Sequence, residues 1–363
     1  MNALTRSRPS SMNSHRDTNA ASGITNHARF RALFPVAHIA HAVCRICSHD
    51  GMHSHYCVRE MMYGSREVFD YFQCSTCGCL QIAQIPHDLA RHYRSDYYSL
   101  AADHTTPYRN PVKNALNRLR DQITLFAPQG NRLPGKVSVP HLAASFMALR
   151  RVHGLSLHMR LLDVGCGSGQ LLHRLENAGF QRLTGIDPFV AESKRFSDRL
   201  TILKGELQTL DGQFDLILLN HAFEHVSNPI DAARRLASIL APGGTLLLRI
   251  PVVDGAAWKL YGCDWFQLDA PRHLYLHSDR SLRHVAADAG LKVVEVHHDS
   301  DYHQFQMSER FLADVPTIVP EEERDKLRTI APTPVQIRAW KQMAHSLNLL
   351  GLGDQACFYL THA

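Results

Sequence analysis

The sequence predicts a doubly wound α/β domain with a mostly parallel sheet, preceded by a small zinc-binding domain. Two observations support this fold class. The C-terminal half of the 363-residue chain alternates short apolar runs with helical patterns, which is typical of βαβ units. The N-terminal part holds two Cys-x-x-Cys pairs, a spacing typical of structural zinc sites. The length also fits two domains of the usual ~100–200 residues each.

Composition and charge narrow the class of protein. Apolar residues make up 45% of the chain and charged residues 20%, which are ordinary values for a globular protein. No apolar run approaches the roughly 20 residues that a membrane-spanning helix needs, so no membrane contact is expected. The net charge is +5, but residues 1–33 hold five arginines and one aspartate, which leaves the rest nearly neutral. We therefore do not expect a nucleic-acid partner, although a local basic patch stays open.

We predict that residues 1–39 form a disordered leader. Residues 1–27 are rich in Ser, Asn and Arg and hold almost no large apolar side chains, so burial cannot offset the entropy lost on ordering. No continuous apolar segment follows the first charges, which disfavours a secretory signal, while an organelle transit segment stays open. A cytoplasmic location is expected.

The cysteines give the first chemical signal. Cys44-Arg-Ile-Cys47 and Cys74-Ser-Thr-Cys77 are separated by 26 residues. Each pair lets the backbone turn so that both thiolates reach one tetrahedral ion at ~2.3 Å. We predict that residues 40–90 form a domain in which these four cysteines hold a structural Zn²⁺; a disulfide and a redox dithiol are the alternatives. Spare potential ligands are His49, His53, His55, Cys57 and Cys79.

Residues 91–140 are predicted to form a helical linker or lid. The segment 88–100 is dense in Tyr and Arg, and residues 111–126 place apolar side chains at helical spacing. A Gly- and Pro-bearing segment, 128–140, then leads into the main domain.

The main domain is expected at residues 141–363. Apolar strands are predicted at 161–164, 183–186, 202–203, 214–219 and 245–250, with helices at 170–178 and 229–240. Because these strands are continuously apolar, the sheet should be parallel and buried on both faces. A ligand of such a sheet lies outside the carboxyl ends of its strands.

Two motifs stand at those carboxyl ends. The glycine-rich loop 163–169, DVGCGSG, follows the first strand, and its glycines allow the backbone to pass close to a ligand. Its spacing is G-x-G-x-G, whereas the dinucleotide fingerprint needs a glycine where Gln170 stands, which disfavours NAD. Asp187 ends the second strand, where its carboxylate is placed to accept both hydroxyls of a ribose.

With these motifs the chain resembles the class I S-adenosylmethionine (SAM)-dependent methyltransferases. The resemblance covers roughly residues 140–363 and rests on segments 162–169, 185–187, 214–220, 223–229 and 240–244. It implies a seven-stranded Rossmann-like sheet whose last strands, 292–297 and 356–360, form an antiparallel hairpin around a helical insertion at about 307–349. It also implies a set of SAM contacts: Asp163, Gly165, Cys166, Gly167, Gly169, Asp187, Glu206, Leu207 and Asn220. Glu206 as a merely solvated loop acid is the alternative.

A narrower group shares the N-terminal domain as well. The cysteine pairs, segment 93–99 (YRSDYYS) and segment 269–278 (DAPRHLYLHS) resemble bacterial methyltransferases that join a zinc-binding domain to the catalytic one. These include the C-methyltransferases of nucleotide-linked deoxysugars. Those sugar enzymes carry Glu-His where this chain has Arg272-His273, which removes the acid beside the histidine.

The predicted function is SAM-dependent methyl transfer to a small-molecule acceptor, such as a nucleotide-linked sugar or a biosynthetic intermediate, by in-line displacement. A neutral histidine suits a base near pH 7. His273 is the first candidate and His225 the second, with Tyr97 or Tyr98 shaping the acceptor pocket. The alternatives are an RNA or protein methyltransferase that binds its substrate through the zinc module, and a non-catalytic SAM-binding protein. The oligomeric state is not determined.

Overall fold

The computed structural model describes residues 38–93, 111–126 and 140–363. The strands are β1 His38–Val43, β2 Asp50–Arg59, β3 Val68–Gln73, β4 Leu80–Ile82, β5 Arg160–Val164, β6 Arg182–Asp187, β7 Lys194–Arg195, β8 Leu200–Lys204, β9 Phe214–Asn220, β10 Leu240–Pro251, β11 Tyr275–Leu276, β12 Leu291–His298 and β13 Gln355–His362. The α-helices are α1 Pro111–Phe126, α2 Pro140–Leu149, α3 Gln170–Ala178, α4 Pro229–Ile239, α5 Ala256–Tyr261, α6 Asp279–Asp288, α7 His303–Leu312, α8 Arg324–Thr329 and α9 Pro334–Leu349. The leader up to residue 37, Tyr97, Tyr98 and segment 128–139 lie outside the described residues.

The larger sheet has the order β12-β13-β10-β9-β5-β6-β8-β7. Strands β10, β9, β5, β6 and β8 are mutually parallel, and β12, β13 and β7 join antiparallel. Consecutive side chains of β5 pack into hydrophobic cores on opposite faces of the sheet: Leu161 lies in one core and Leu162 in the other. The sheet is therefore buried on both faces, and the predicted fold class is confirmed.

The described residues form eight strands in this sheet, where seven were expected. The additional strand, β7, is two residues long and pairs with the edge of β8. Its residues, Lys194 and Arg195, are both exposed. An edge strand without an apolar face leaves no hydrophobic pattern in the sequence, so it was not predictable.

Three helices, α7, α8 and α9, separate the two strands of the C-terminal hairpin β12–β13. The helical stretch begins at His303, slightly before the expected boundary of 307. Helix α9 begins with a capping box, in which Thr333 and Gln336 exchange hydrogen bonds. None of the helices in the described part of the chain has the length and apolarity required to span a bilayer.

The smaller sheet is antiparallel, with the order β1-β2-β3-β4-β11. Cys44 directly follows β1, and Cys74 directly follows β3. Each cysteine carbonyl accepts a 2.9 Å hydrogen bond from the amide four residues later, from Ser48 and from Gly78. The two cysteine pairs thus form similar turns at the same end of neighbouring hairpins, which brings four thiols together.

The two sheets are joined through segment 269–278. Its strand β11 completes the smaller sheet by pairing with β4. The Tyr71 hydroxyl donates to the His273 carbonyl at 2.8 Å, and Arg45 Nε donates to the Tyr275 hydroxyl at 2.9 Å. Ser278 donates to the Cys77 carbonyl. The N-terminal sheet therefore holds the segment from His273 to Ser278.

Candidate active site

The loop between β5 and α3 requires glycine for two independent reasons. Gly165, Gly167 and Gly169 have φ of +74°, +54° and +81°, values that strain other residues. A Cβ on Gly165 would also lie 2.7 Å from Ala222 Cβ, and one on Gly169 would lie 2.2 Å from Ile202 Cδ1. The loop is thus packed tightly enough to bring its backbone to the edge of the sheet.

Asp187 fixes this loop from the end of β6. One of its carboxylate oxygens accepts from the Gly167 amide at 2.9 Å, and the other accepts from the Phe189 amide at 2.8 Å. The side chain is buried. Each carboxylate oxygen has a second lone pair, so both can still accept a ribose hydroxyl while they hold the loop. This loop-ordering role was not predicted from the sequence.

Asp163 lies next to Asp187 and is also buried. Burial, and secondarily the charge of Asp187, raises the pKa of Asp163 to about 7. Two acids that share a buried site in this way favour a cation as a ligand, because a positive charge relieves both the burial cost and the repulsion.

A cavity of about 1470 Å³ lies between the carboxyl ends of the parallel strands and the N-terminal sheet. Seven of the nine predicted SAM contacts line it: Asp163, Gly165, Cys166, Asp187, Glu206, Leu207 and Asn220. Glu206 is exposed, whereas Leu207 is buried. Gly167 and Gly169 do not line the cavity and instead shape the loop behind it. The Asn220 amide oxygen accepts from Arg249 at 3.1 Å, which fixes its orientation.

The two predicted bases lie side by side on this cavity. The rings of His225 and His273 have centroids 4.8 Å apart, and both residues line the cavity wall. His225 Nδ1 is 2.9 Å from the Arg272 carbonyl, and His273 Nδ1 is 2.6 Å from the Gln267 carbonyl. Because a carbonyl only accepts, each Nδ1 carries a proton, and Nε2 is the ring nitrogen that can gain or lose one.

Two acids lie near His273 in place of the one that the Arg272-His273 pair lacks: Asp269, with Oδ2 3.8 Å from His273 Nε2, and Glu224. Glu224 is fully buried, and its Oε1 lies 3.3 Å from His221 Nδ1 and 3.9 Å from His273 Nε2. Burial raises the pKa of Glu224, but the nearby His221 N–H and, when these rings are protonated, the charges of His221, His225 and His273 lower it. Glu224 is thus placed to pair with whichever of these histidines gains a proton. The position of Glu224 directly before His225 was the available signal, but no role was predicted for it.

Arg272 has a structural role in this site. It is fully buried and pairs with Asp269, with Nε 3.0 Å from the carboxylate, and with Glu60 of the N-terminal sheet at 3.5 Å. It also donates to the His92 carbonyl at 3.2 Å. The arginine thus ties the N-terminal part of the chain to the segment that carries His273.

Tyr93 is a contact that sequence reasoning missed. Its hydroxyl lies 3.1 Å from His225 Nδ1, and its ring stacks on Phe189 with centroids 5.2 Å apart. Burial raises the pKa of this phenol. Tyr93 belongs to the same Tyr-rich segment as the predicted Tyr97 and Tyr98, which lie outside the described residues.

The four cysteines of the N-terminal sheet form a compact cluster. The Cys44 and Cys77 sulfurs are 3.6 Å apart, as are those of Cys47 and Cys74. A tetrahedron with ~2.3 Å metal–sulfur bonds has edges of about 3.8 Å, so the geometry fits a zinc ion. Gln81 Nε2 donates to Cys44 Sγ at 3.1 Å, the kind of contact that stabilises a thiolate.

The spare ligands stay outside this cluster. His53 Nδ1 accepts from the Ser75 amide at 3.1 Å and so supports the second turn. Cys57 is exposed on β2, and Cys79 is buried but is not a member of the four-sulfur group.

Comparison with known protein families shows which family this chain belongs to. A protein-family profile described as a methyltransferase domain matches residues 113–296, just over half of the chain. The chain belongs to the methyltransferase domain family. This confirms the prediction of a SAM-dependent methyltransferase.

Curated relatives of this methyltransferase carry a more specific name. A tRNA U34 carboxymethyltransferase of Pseudomonas paraeruginosa is 28% identical over 202 residues, 50% of this chain and 60% of that protein. The protein of the same name from Alcanivorax borkumensis is 35% identical over 107 residues, 26% of this chain and 33% of that protein. The methyltransferase thus spans less than two thirds of the length of these relatives. Among solved structures, the cyclopropane synthase MmaA2 of Mycobacterium tuberculosis is 19% identical, with 65% of this chain and 87% of that chain covered and a TM-score of 0.40.

These names correct two predictions. The expected small-molecule acceptor, with its nucleotide-sugar example, is wrong, because the relatives are named for a tRNA nucleotide. The expectation that nucleic acid is not a partner is wrong for the same reason. Net charge over the whole chain does not exclude an RNA partner, because single-stranded RNA is also held by stacking of its bases on aromatic side chains.

Proposed function

We propose that this methyltransferase transfers a methyl group from SAM to RNA, with tRNA as the first substrate to test. The resemblance to the tRNA U34 carboxymethyltransferases carries the proposal. In this proposal the domain 141–363 performs the transfer, and the domain 40–90 holds a structural Zn²⁺ at Cys44, Cys47, Cys74 and Cys77. Zinc supplies no chemistry there, since four thiolates leave no open coordination position.

The cavity has features that suit a nucleotide. Tyr93 and Phe189 stack nearly parallel, at an interplanar angle of 19°, and both line the cavity. Proteins hold unstacked RNA bases on aromatic side chains of this kind. The arginines of residues 1–33 add positive charge that can contact phosphates.

We assign SAM to the part of the cavity beside the glycine-rich loop. Asp187 would hold the ribose hydroxyls, Leu207 would contact the adenine with Glu206 at the rim, and Asp163 would face the ammonium of the methionine part. Asn220 would approach the same amino-acid end. Cys166 and the glycines would pass along the cofactor with their backbone. SAM supplies an electrophilic methyl group when bound.

The remaining residues of the site would orient the acceptor and take its proton. Methyl transfer from a sulfonium is an in-line displacement, so alignment supplies much of the rate. In our assignment, the neutral Nε2 of His225 or His273 accepts the proton that a hydroxyl or ring nitrogen loses. Glu224 would stabilise the histidinium that results, since its carboxylate is 3.9 Å from His273 Nε2.

RNA methylation can be tested with SAM that carries a tritiated methyl group and total bacterial tRNA. Label should enter material that ribonuclease destroys, and tRNA binding should weaken steeply with salt, as phosphate contacts require. An Asp187→Asn variant should bind tRNA but transfer little label. Duplex DNA of equal length is the matched polyanion and should stay unlabelled. Absence of both label in RNA and salt-dependent tRNA binding would contradict the proposal.

The assignment of Asp163 predicts a pH-dependent affinity. Because burial raises its pKa to about 7, the carboxyl is protonated below that pH and must release its proton to pair with an ammonium. Affinity for S-adenosylhomocysteine should therefore fall as pH decreases below 7, by up to about tenfold per pH unit, and level off above 7. Calorimetric titrations between about pH 5.5 and 8 measure this. An Asp163→Asn variant should bind more weakly at pH 8 and lose the dependence; an equal slope in both proteins would contradict the assignment.

A further inference from the structure

We propose that Glu224, His225 and His273 form a divalent-cation site with open coordination positions, separate from the four-cysteine site. One ligand atom from each residue lies within 4.8 Å of the others. His225 and His273 line the large cavity, and Glu224 lies directly behind them. The cation site rests on this geometry alone, whereas its role toward RNA rests on the proposed function.

Both histidines make the kind of hydrogen bond that metal-binding histidines make. A metal-bound histidine usually donates its second ring N–H to a carbonyl or carboxylate, which fixes the ring and leaves the other nitrogen for the metal. His225 and His273 each present Nδ1 to a backbone carbonyl, those of Arg272 and Gln267. Their Nε2 atoms are thereby available as ligands.

Glu224 is the second, independent observation. It is fully buried; its Oε1 lies 3.3 Å from His221 Nδ1 without an aligned hydrogen bond, and its Oε2 has no hydrogen-bond partner among the described residues. A buried carboxylate without such partners is costly unless a positive charge compensates it. A divalent cation bound to this carboxylate would supply that charge and satisfy an oxygen at once.

The nearby arginines are engaged elsewhere. Arg272 pairs with Asp269 and Glu60, and Arg249 pairs with Asp299 at 2.6 Å. Arg249 also donates to His221 Nε2 at 2.8 Å, which places the His221 proton on Nδ1, facing Glu224. His221 therefore orients the carboxylate from the side, and it is not a fourth ligand in this arrangement.

The donor set indicates the kind of metal and its role. Two imidazoles and one carboxylate suit Zn²⁺, Mn²⁺, Fe²⁺ or Co²⁺, and three protein ligands leave positions for other oxygens. In the proposed reaction those positions would take acceptor oxygens, such as a ribose hydroxyl or a base carbonyl. With the cation bound, the histidines would act as ligands and not as the base. The cation would orient the acceptor and favour loss of its proton to solvent.

Equilibrium dialysis against Zn²⁺ and against Mn²⁺, without RNA, tests the site. After dialysis against Zn²⁺, the zinc-replete full-length protein should hold two Zn²⁺ per chain. After dialysis against Mn²⁺, it should hold one Mn²⁺ in addition to its cysteine-bound zinc. Glu224→Gln and His273→Asn should each weaken the second ion at least tenfold, in line with the ~10–100-fold effects seen even for residues around metal ligands. His284→Asn, at an exposed histidine of α6, is the matched control and should bind both ions.

Thermal unfolding and S-adenosylhomocysteine binding show whether each variant is folded. Two different substitutions are used so that the test does not depend on a variant that fails to fold. A single Zn²⁺ and no Mn²⁺ in the wild-type protein, or unchanged binding in folded Glu224→Gln, would overturn the site. Because no RNA is present, this result is independent of the labelling experiment. If the ion binds but RNA is not methylated, the proposed function fails and the site remains.

Discussion

Cys77→Ser is expected to abolish zinc binding and to lower the thermal stability of the N-terminal sheet strongly. Cys77 is buried, and its sulfur lies 3.6 Å from that of Cys44. Structural zinc contributes roughly 10–16 kcal/mol of apparent binding free energy in zinc-finger peptides, and that energy is folding energy. Of the five strands that the described residues form in this sheet, four have six residues or fewer, so its core alone is a small source of stability.

The effect should extend to the active site. Strand β11 belongs to the smaller sheet, and the Tyr71 hydroxyl holds the His273 carbonyl at 2.8 Å. Loss of the zinc should therefore reduce methyl transfer even though no cysteine of the cluster lines the large cavity.

Elemental analysis and thermal unfolding measure the first two effects. Cys57→Ser is the matched control, because Cys57 is an exposed cysteine of the same sheet. It should keep its zinc and its melting temperature. A Cys77→Ser protein with full zinc content and unchanged melting would show that the four-cysteine cluster is not a zinc site.

Asp187→Asn is expected to weaken S-adenosylhomocysteine binding by about 1–3 kcal/mol, or roughly 5- to 150-fold in Kd. Two losses combine in this variant. The charged acceptor for the ribose hydroxyls becomes a neutral amide, and the loop loses one of the two acceptors that now hold the Gly167 and Phe189 amides. Isothermal titration calorimetry measures the change in affinity.

Glu206→Gln is the control for this effect. Glu206 lines the same cavity but is exposed, so water can replace its contacts. Its replacement should change affinity by a few-fold at most, since surface contacts are weak. Equal affinity of wild-type and Asp187→Asn proteins would contradict the ribose role, and a large effect of Glu206→Gln would show that this acid is more than a solvated loop residue.

Local patterns in the sequence predicted much of this molecule. The parallel strands were found because each is a short, continuous apolar run, and the glycine loop because its spacing requires special backbone angles. The Cys-x-x-Cys pairs and the glycine loop are each defined within a few residues of the chain, and Asp187 is defined by its place at the end of a predicted strand. Their chemistry therefore depends on spacing that the sequence states directly.

The acceptor could not be predicted in the same way. Composition pointed away from nucleic acid, and the resemblance to sugar methyltransferases pointed to a small molecule; the relatives named for tRNA contradict both. The features that suit a base, the stacked Tyr93 and Phe189, come from separate parts of the chain. No periodicity in the sequence reports such a pair.

By itself, the sequence determined the sheet, the glycine-rich loop at its edge and the grouping of the cysteines. Only the tertiary structure decided what surrounds His273. It placed Glu224 beside this histidine and turned Arg272 away into ion pairs with Asp269 and Glu60. The physical reason is that a buried charge is tolerated only where other segments supply its partners, and those partners are set by packing between distant parts of the chain.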